Sequence, residues 1–160
     1  MKALILKAVG DIGVDEIPEP VAKDGEVVLE VRSCGICGSD IPRTYETGAH
    51  RMPLVIGHEF CGEYDKKRYG VYPLIPCNKC KPCMTAHPEM CRNYDYIGSR
   101  CDGAFAENVN VPASNLIELP ESVSFEEAAM LEPMAVAVHA MRMALESGVP
   151  VNRDAKIAVC

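Results

Sequence analysis

Four cysteines at short spacing form the strongest chemical signal in the sequence. Cys77, Cys80 and Cys83 are each separated by two residues, and Cys91 follows shortly after them. Four thiolates at such spacing can close a tetrahedral shell around Zn²⁺, with no open position for a substrate. Residues 76–93 include few large apolar side chains, and a structural zinc can contribute on the order of 10 kcal/mol to the folding of such a segment. We therefore predict a structural zinc site here, with free or disulfide-bonded thiols as the alternative.

A second set of possible metal ligands is dispersed along the chain and combines a thiol, an imidazole and carboxylates, from Cys37, His58, Glu59 and Glu132. Glycines beside Cys37 and His58 let the backbone approach closely. Glu132 is a carboxylate in an apolar stretch, where it needs a partner. A lone histidine is more often a core or surface residue, and the Cys-x-x-Cys pair at 34–37 is also typical of redox motifs. The residues alone leave these alternatives open.

Basic side chains follow Cys37 at Arg43, His50 and Arg51. Arginine binds phosphate through two parallel hydrogen bonds, so Arg43 and His50 are candidates for binding a phosphorylated substrate. A solvated basic loop is the alternative interpretation. The other two histidines, His87 and His139, are expected to have no chemical role.

The composition is that of a single domain. A chain of 160 residues with 48% hydrophobic content can bury one ordinary core. The net charge of −7 argues against a nucleic-acid partner, because phosphate binding needs a basic face. The sequence has no apolar run of about 18 residues and no basic-then-apolar leader, so neither a membrane span nor export is expected. Nine cysteines in this context favour metal binding in a reducing cytoplasm over disulfides.

The segments that must position these side chains are mainly β in the first part of the chain. Val27, Leu29 and Val31 alternate with less apolar residues, which is the period of a half-buried strand. Proline and glycine residues at 18, 20 and 25 mark a loop before this strand. Short apolar stretches predict further strands over 1–8, 54–56, 105–111 and 116–119.

Helical signals come late in the sequence. Ser124 and Glu127 have the spacing of a capping box. The helix that they begin is expected to end by residue 131, because Pro133 biases Glu132 away from helical angles. Pro133 then opens a second helix that runs to about Ser147. This second helix is apolar nearly all round, which predicts burial between two layers. A last apolar strand is expected over 156–160.

Taken together and in this order, five motifs resemble those of the zinc-dependent medium-chain dehydrogenases. They are Cys34-Gly-Ile-Cys37-Gly-Ser-Asp40, Gly57-His58-Glu59, the four-cysteine segment, Ile97-Gly-Ser-Arg-Cys-Asp-Gly-Ala-Phe-Ala-Glu107 and Leu131-Glu-Pro133. Within that family the chain looks most like the polyol branch, the sorbitol and galactitol-1-phosphate dehydrogenases. The resemblance covers nearly the whole chain.

The resemblance implies a mainly β, GroES-like barrel with a zinc lobe and C-terminal helices. Residues 1–147 would form the zinc-binding catalytic domain, and 148–160 would be the first strand of a dinucleotide-binding domain. The glycine-rich phosphate-binding turn of that second domain is not found in the sequence. We therefore expect the 160 residues alone to bind zinc without turning over a substrate. The intact enzyme would be a cytoplasmic homodimer or homotetramer.

The resemblance also implies roles for individual residues. Cys37, His58 and Glu132 would bind a catalytic zinc ion, with Glu59 coordinating intermittently or through water, and the second zinc ion would be held by Cys77, Cys80, Cys83 and Cys91. The catalytic ion, with three protein ligands and an open position, would act as a Lewis acid on an alcohol. Ser39 matches the hydroxyl that passes on the alcohol proton, although a cap or turn serine is the alternative. The substrate would be a polyol or polyol phosphate such as galactitol 1-phosphate, and NAD would accept the hydride.

The sequence departs from the family at two places. Residues 66–70 replace a longer stretch, so that a piece of the barrel is expected to be missing. Pro42 stands where the family often has a histidine. Two functions from other classes remain as alternatives: a zinc-ribbon binding module, which needs only the four-cysteine site, and a thiol oxidoreductase that uses Cys34 and Cys37. Against the second, Cys34 is interpreted as a small buried apolar residue.

Overall fold

The computed structural model describes residues 1–148, 154 and 156, and it is built around antiparallel β-strands. The strands are β1 (Lys2–Ala8), β2 (Asp11–Glu16), β3 (Glu26–Gly35), β4 (Leu54–Val55), β5 (Glu59–Tyr64), β6 (Lys67–Val71), β7 (Leu74–Ile75), β8 (Asp95–Tyr96), β9 (Asn108–Pro112) and β10 (Leu116–Glu118). The helices are α1 (Asp40–Pro42), which continues into a π-helical turn (Arg43–Thr47), α2 (Lys81–Met84), α3 (Phe125–Ala129) and α4 (Leu131–Glu146). Short 3₁₀ turns cover Pro88–Met90 and Ala113–Asn115.

The largest sheet has five strands in the order β10-β6-β5-β3-β9. The long strand β3 lies inside this sheet and pairs with β5 on one side and β9 on the other. Its predicted alternation is confirmed, since Val27 and Leu29 are buried while Glu30 is exposed. Buried side chains of this sheet and of the segment before β9 form the main core, from Leu29, Phe60, Val71, Ile97, Ala104, Val109 and Val111.

Two smaller sheets complete the β structure. Strands β2, β1 and β4 form one of them, and β7 and β8 form the other. The predicted strands at 1–8, 27–31, 54–56 and 116–119 all have counterparts, whereas the strand expected over 105–111 begins only at Asn108. The sequence did not predict β2, β5, β6 or the two-residue strands β7 and β8. The strand predicted over 156–160 lies, except for residue 156, outside the described residues.

The short segment after β5 does not interrupt the five-stranded sheet. Strands β5 and β6 pair directly as a hairpin, with Tyr64 opposite Lys67. The two residues between them, Asp65 and Lys66, have φ angles of 47° and 61°. Positive φ at both central residues is the signature of a type I′ turn, which matches the twist of a two-residue hairpin. The expected gap in the barrel is therefore closed by a tight turn.

The capping box that begins α3 is confirmed. The Glu127 backbone N–H donates to the Ser124 hydroxyl, and the Ser124 backbone N–H donates to the Glu127 carboxylate. The first helix ends at Ala129, as expected, but α4 begins at Leu131 and not at Pro133, so Glu132 and Pro133 lie in its first turn. Proline is tolerated there, since first-turn N–H groups have no partner within the helix.

The predicted burial of α4 is also wrong for the part of the chain that the structure describes. No residue of α4 is buried, and Val136 and Val138 are 62% and 59% exposed. The described sheet covers only the first turn of the helix, where Leu131 is half-buried. Within the described ranges, no helix combines the length and the apolar character that crossing a membrane requires.

Candidate metal centre

Cys37, His58 and Glu59 converge at one end of the five-stranded sheet. Their ligand atoms, a thiol sulfur, an imidazole nitrogen and a carboxylate oxygen, all lie within 4.8 Å of one another. Glu59 opens β5 and is paired with Gly35 at the end of β3, two residues before Cys37. The sheet register therefore brings the two segments together. Of the three expected permanent ligands, Cys37 and His58 lie together, and the carboxylate beside them is that of Glu59 and not that of Glu132.

The buried position of His58 makes an ion a suitable partner. His58 is 5% exposed, and its Nδ1 atom is buried with no hydrogen-bond partner among the described residues. An unsatisfied buried nitrogen is unfavourable. A thiolate, an imidazole and a carboxylate form a donor set that Zn²⁺ accepts, so the residues present fit a zinc ion.

Asp40 supports this group, although sequence analysis assigned it no role. Its carboxylate is 2% exposed and accepts hydrogen bonds from the Cys37 backbone N–H at 3.1 Å and from Arg43 Nη1 at 2.7 Å. Its Oδ1 atom also lies 3.7 Å from His58 Nδ1. The signal that could have revealed it is the i,i+3 spacing of Asp40 and Arg43 directly after Cys37.

Glu132 is not part of the group formed by Cys37, His58 and Glu59. Its Oε1 atom accepts a hydrogen bond of 3.1 Å from the Tyr96 hydroxyl, and the Tyr96 ring stands edge-on to His58 with 5.8 Å between ring centroids. Burial, followed by the negative charge of Glu132, raises the pKa of Tyr96, so the phenol stays protonated and donates. Sequence analysis also missed Tyr96, since no motif singled it out.

The predicted substrate residues lie around two adjoining pockets beside this group. Ser39, Arg43, His58, Tyr96 and others line a pocket of about 250 Å³. Ser39, Arg43 and His50 also line an open groove of about 390 Å³. Arg43 therefore lies between the possible metal ligands and the groove, where it pairs with Asp40 and donates to the Ser99 hydroxyl at 3.3 Å. Ser39 precedes α1 without capping it, and its hydroxyl instead donates to the Cys37 sulfur at 3.3 Å.

The four cysteines between β7 and β8 form a second cluster. The ligand atoms of Cys77, Cys80, Cys83 and Cys91 all lie within 4.8 Å of one another. The eight cysteines in the described part of the chain are free thiols, so no disulfide is formed among them. Hydrogen bonds from backbone N–H groups, chiefly that of Cys83, lower the pKa of Cys80 to about 6. Desolvation and the side-chain hydrogen bond with Cys80 raise the pKa of Cys83 to about 12. One ready thiolate among four close sulfur atoms suits a cation that displaces the remaining protons.

Cys34 has the properties of a packing residue. It packs against the main core. Burial, followed by the charges of Asp40 and Glu59, raises the pKa of its thiol to about 12. A redox-active Cys-x-x-Cys pair needs a thiol of lowered pKa. A thiol with a raised pKa is a poor nucleophile, so Cys34 is not suited to be the attacking cysteine of a thiol oxidoreductase.

Comparison with known proteins identifies the class to which this fold and these sites belong. The family model of the alcohol dehydrogenase GroES-like domain matches residues 23–121 of this chain. The chain belongs to this family, and the mainly β GroES-like fold expected from the sequence is confirmed.

Its relatives include polyol dehydrogenases. The chain is 39% identical to galactitol 1-phosphate 5-dehydrogenase of Escherichia coli K12 over 90% of its own length and 45% of that relative. The crystal structure of the galactitol-1-phosphate dehydrogenase from Escherichia coli superposes with a TM-score of 0.84, at 36% identity, over 91% of this chain and 45% of that one. Sorbitol dehydrogenase of Bacillus subtilis is 30% identical over 88% of this chain and 44% of that relative.

A second solved relative carries a cofactor. The structure of a short chain alcohol dehydrogenase from Escherichia coli CFT073, complexed with NADH, superposes with a TM-score of 0.81 at 32% identity. The match covers 91% of this chain and 46% of that one. The chain thus spans less than half the length of the relatives that it matches.

Proposed function

We propose that residues 1–147 form the zinc-binding catalytic domain of a dehydrogenase that oxidises a secondary alcohol of a polyol or polyol phosphate, with NAD as the hydride acceptor. The observation that carries this proposal is the convergence of Cys37, His58 and Glu59 within 4.8 Å beside a pocket. The polyol relatives support the substrate class, and the NADH-bound relative supports the cofactor.

Two zinc ions are part of the proposal. Cys37, His58 and Glu59 would hold a catalytic zinc, with Glu132 as a further ligand that lies outside their group in the structure, and the structural zinc would be held by Cys77, Cys80, Cys83 and Cys91. The catalytic ion, when bound, would supply Lewis-acid stabilisation of negative charge on the substrate oxygen. The negative charges of the thiolate and the carboxylates would offset the positive charge of the zinc ion, so the site as a whole would be near neutral or anionic. The Arg43 guanidinium, which pairs with Asp40, balances part of that negative charge.

The chain's own residues would position the alcohol and remove its proton. The exposed hydroxyl of Ser39 contacts the Cys37 sulfur and lines the same pocket as His58, so it is placed to accept the alcohol proton. Pro42 has no group that could carry this proton further. We therefore infer that water in the groove relays it from Ser39 to solvent.

The phosphate of a phosphorylated polyol would lie in the groove beyond Arg43. Arg43 borders both the pocket with His58 and the groove with His50. A polyol that extends from the pocket into the groove would bring its far end close to the basic side chains of Arg43 and His50. Arg43 already binds Asp40, which leaves His50 as the exposed basic group of the groove.

The number of zinc ions bound per chain distinguishes the proposed catalytic domain from the zinc-ribbon alternative. We expect two zinc ions per purified chain and one in Cys37→Ser, because the four-cysteine cluster does not depend on Cys37. Phe105→Tyr, a change next to the site that removes no ligand, serves as the control and should keep both ions. One zinc in the unaltered chain, with no loss in Cys37→Ser, would instead establish a four-cysteine binding module.

A substrate comparison tests the phosphate assignment in the complete enzyme that carries this chain. We expect kcat/KM for galactitol 1-phosphate to exceed that for sorbitol by at least about tenfold, since a charge-assisted contact is worth roughly 1.5–3 kcal/mol. His50→Asn should lower the value for the phosphate substrate and leave that for sorbitol unchanged. Equal efficiency toward both substrates contradicts the assignment.

A further inference from the structure

The hydrogen bond between Tyr96 and Glu132 holds one of the four proposed catalytic ligands apart from the other three. The ligand atoms of Cys37, His58 and Glu59 form one group, and Glu132 is outside it. The Tyr96 hydroxyl donates to Glu132 at 3.1 Å, and the two residues are 36 positions apart in the sequence. The contact is thus a product of the fold and not of neighbouring residues.

Tyr96 is held more firmly than Glu132. It lies in β8, opposite Leu74 of β7, and its carbonyl accepts backbone hydrogen bonds from Ser99 at 3.1 Å and Arg100 at 2.8 Å. Its ring also packs edge-on against the buried His58. Glu132 is instead in the first turn of α4, a helix with no buried residue in the described chain. The tyrosine is therefore the fixed partner, and the carboxylate is the partner that it restrains.

We propose that Tyr96 is a positioning residue that holds Glu132 outside the zinc shell, so that Glu132 joins the shell only when this hydrogen bond breaks. The inference rests on the proposed function, because it presupposes a zinc ion at Cys37, His58 and Glu59. Three resident protein ligands leave a position for the substrate oxygen, and the Glu132 carboxylate, as a fourth protein ligand, would compete with the substrate for it. The phenol hydroxyl thereby keeps the site open to substrate.

Cobalt(II) substitution tests this assignment by its absorption spectrum and by metal affinity. The chain, Tyr96→Phe, Glu132→Gln and the double variant are compared, and the four-cysteine contribution cancels because it is common to all of them. Glu132→Gln alone should leave the absorption spectrum of the Cys37 site unchanged and its cobalt affinity within about twofold of that of the unaltered chain. Tyr96→Phe should free Glu132, raise affinity by about tenfold, as expected for one added contact to a charged group, and shift the visible bands as a carboxylate takes the open position of the cobalt ion. The double variant should return to the starting spectrum.

Tyr94→Phe is the matched control. Tyr94 lines the same pocket, where its ring lies under the Arg100 guanidinium at 4.5 Å, so loss of its hydroxyl should not alter the cobalt spectrum. If Glu132→Gln weakens metal binding in the unaltered chain as much as Glu59→Gln does, Glu132 is a resident ligand and the role of Tyr96 is overturned. Absence of cobalt from the Cys37 site in every variant overturns the proposed function as well.

Discussion

At the scale of single residues, close backbone packing fixes the position of His58. A Cβ atom added to Gly98 or Gly103 would lie 2.2 or 2.3 Å from the Gly57 carbonyl oxygen. The same oxygen accepts a hydrogen bond of 2.9 Å from the Ala104 backbone N–H. The loop before β9 thus packs directly on the residue that precedes His58, and only glycine leaves room for this contact.

Replacement of Gly103 tests this packing. In Gly103→Ala the new methyl group meets the backbone of Gly57 and Gly98, which cannot rotate aside as a flexible side chain would. We expect the free energy of unfolding to fall by about 2–3 kcal/mol, together with zinc binding at His58. Urea denaturation and metal analysis provide the measurements. Gly13→Ala, at a position with no atom within 4 Å, should change stability by at most about 0.5 kcal/mol, and an equal loss in both variants would contradict the packing argument.

The sequence predicted the possible metal ligands more fully than the residues that support them. Residue types and the family resemblance pointed to Cys37, His58, Glu59 and Glu132, and the structure brings the first three together. Tyr96 escaped prediction because its partner Glu132 lies 36 positions away and the hydrogen bond between them forms only in the folded chain. Asp40 differs, because its partners Cys37 and Arg43 are each three residues away and their spacing could have revealed it.

At the scale of elements, signals contained within a few residues predicted helix starts well, but they did not predict which distant strands pair with each other. The capping box is formed within four residues, so Ser124 and Glu127 could be identified from the sequence alone. Strand β5 has no regular alternation because four of its six residues are buried, and Gly62 lies where a Cβ atom would be 2.1 Å from the Glu30 carbonyl oxygen of β3. Such a strand is defined by its neighbours in the sheet, which the sequence does not display.

Helix α4 differs from β5, because its apolar pattern is clear in the sequence but the surface that would cover its apolar side chains is not. Its predicted length was nearly correct, but the described residues bury none of its side chains. Hydrophobic periodicity reports which side chains favour burial and does not identify the surface that covers them. The start of the helix was misplaced by two residues, because a proline anywhere in the first turn removes no hydrogen bond within the helix and meets no carbonyl four residues earlier.

At the scale of the whole molecule, two apolar clusters and one lobe without a core are joined in one chain. One cluster belongs to the five-stranded sheet, and the other is formed around Leu6, Leu54 and Ile56. Between residues 76 and 93, Cys91 is the single buried residue. Apolar burial therefore stabilises the sheets, whereas the four-cysteine segment has little besides its sulfur cluster to order it.

Removal of zinc should consequently open the lobe before the sheets. Lys79 and Arg92 are exposed lobe residues that trypsin can recognise, and Arg68 of β6, which is half-buried and paired within the large sheet, is the reference site. With a chelator we expect cleavage after Lys79 and Arg92 to accelerate at least about tenfold, since the open state gains population when the metal contribution is lost, while cleavage after Arg68 stays slow. Cys37→Ser, which removes a ligand only from the other proposed site, should keep the lobe resistant. Simultaneous cleavage at all three positions would show that the lobe and the sheets unfold as one unit, because in that case burial and metal binding stabilise the same cooperative structure.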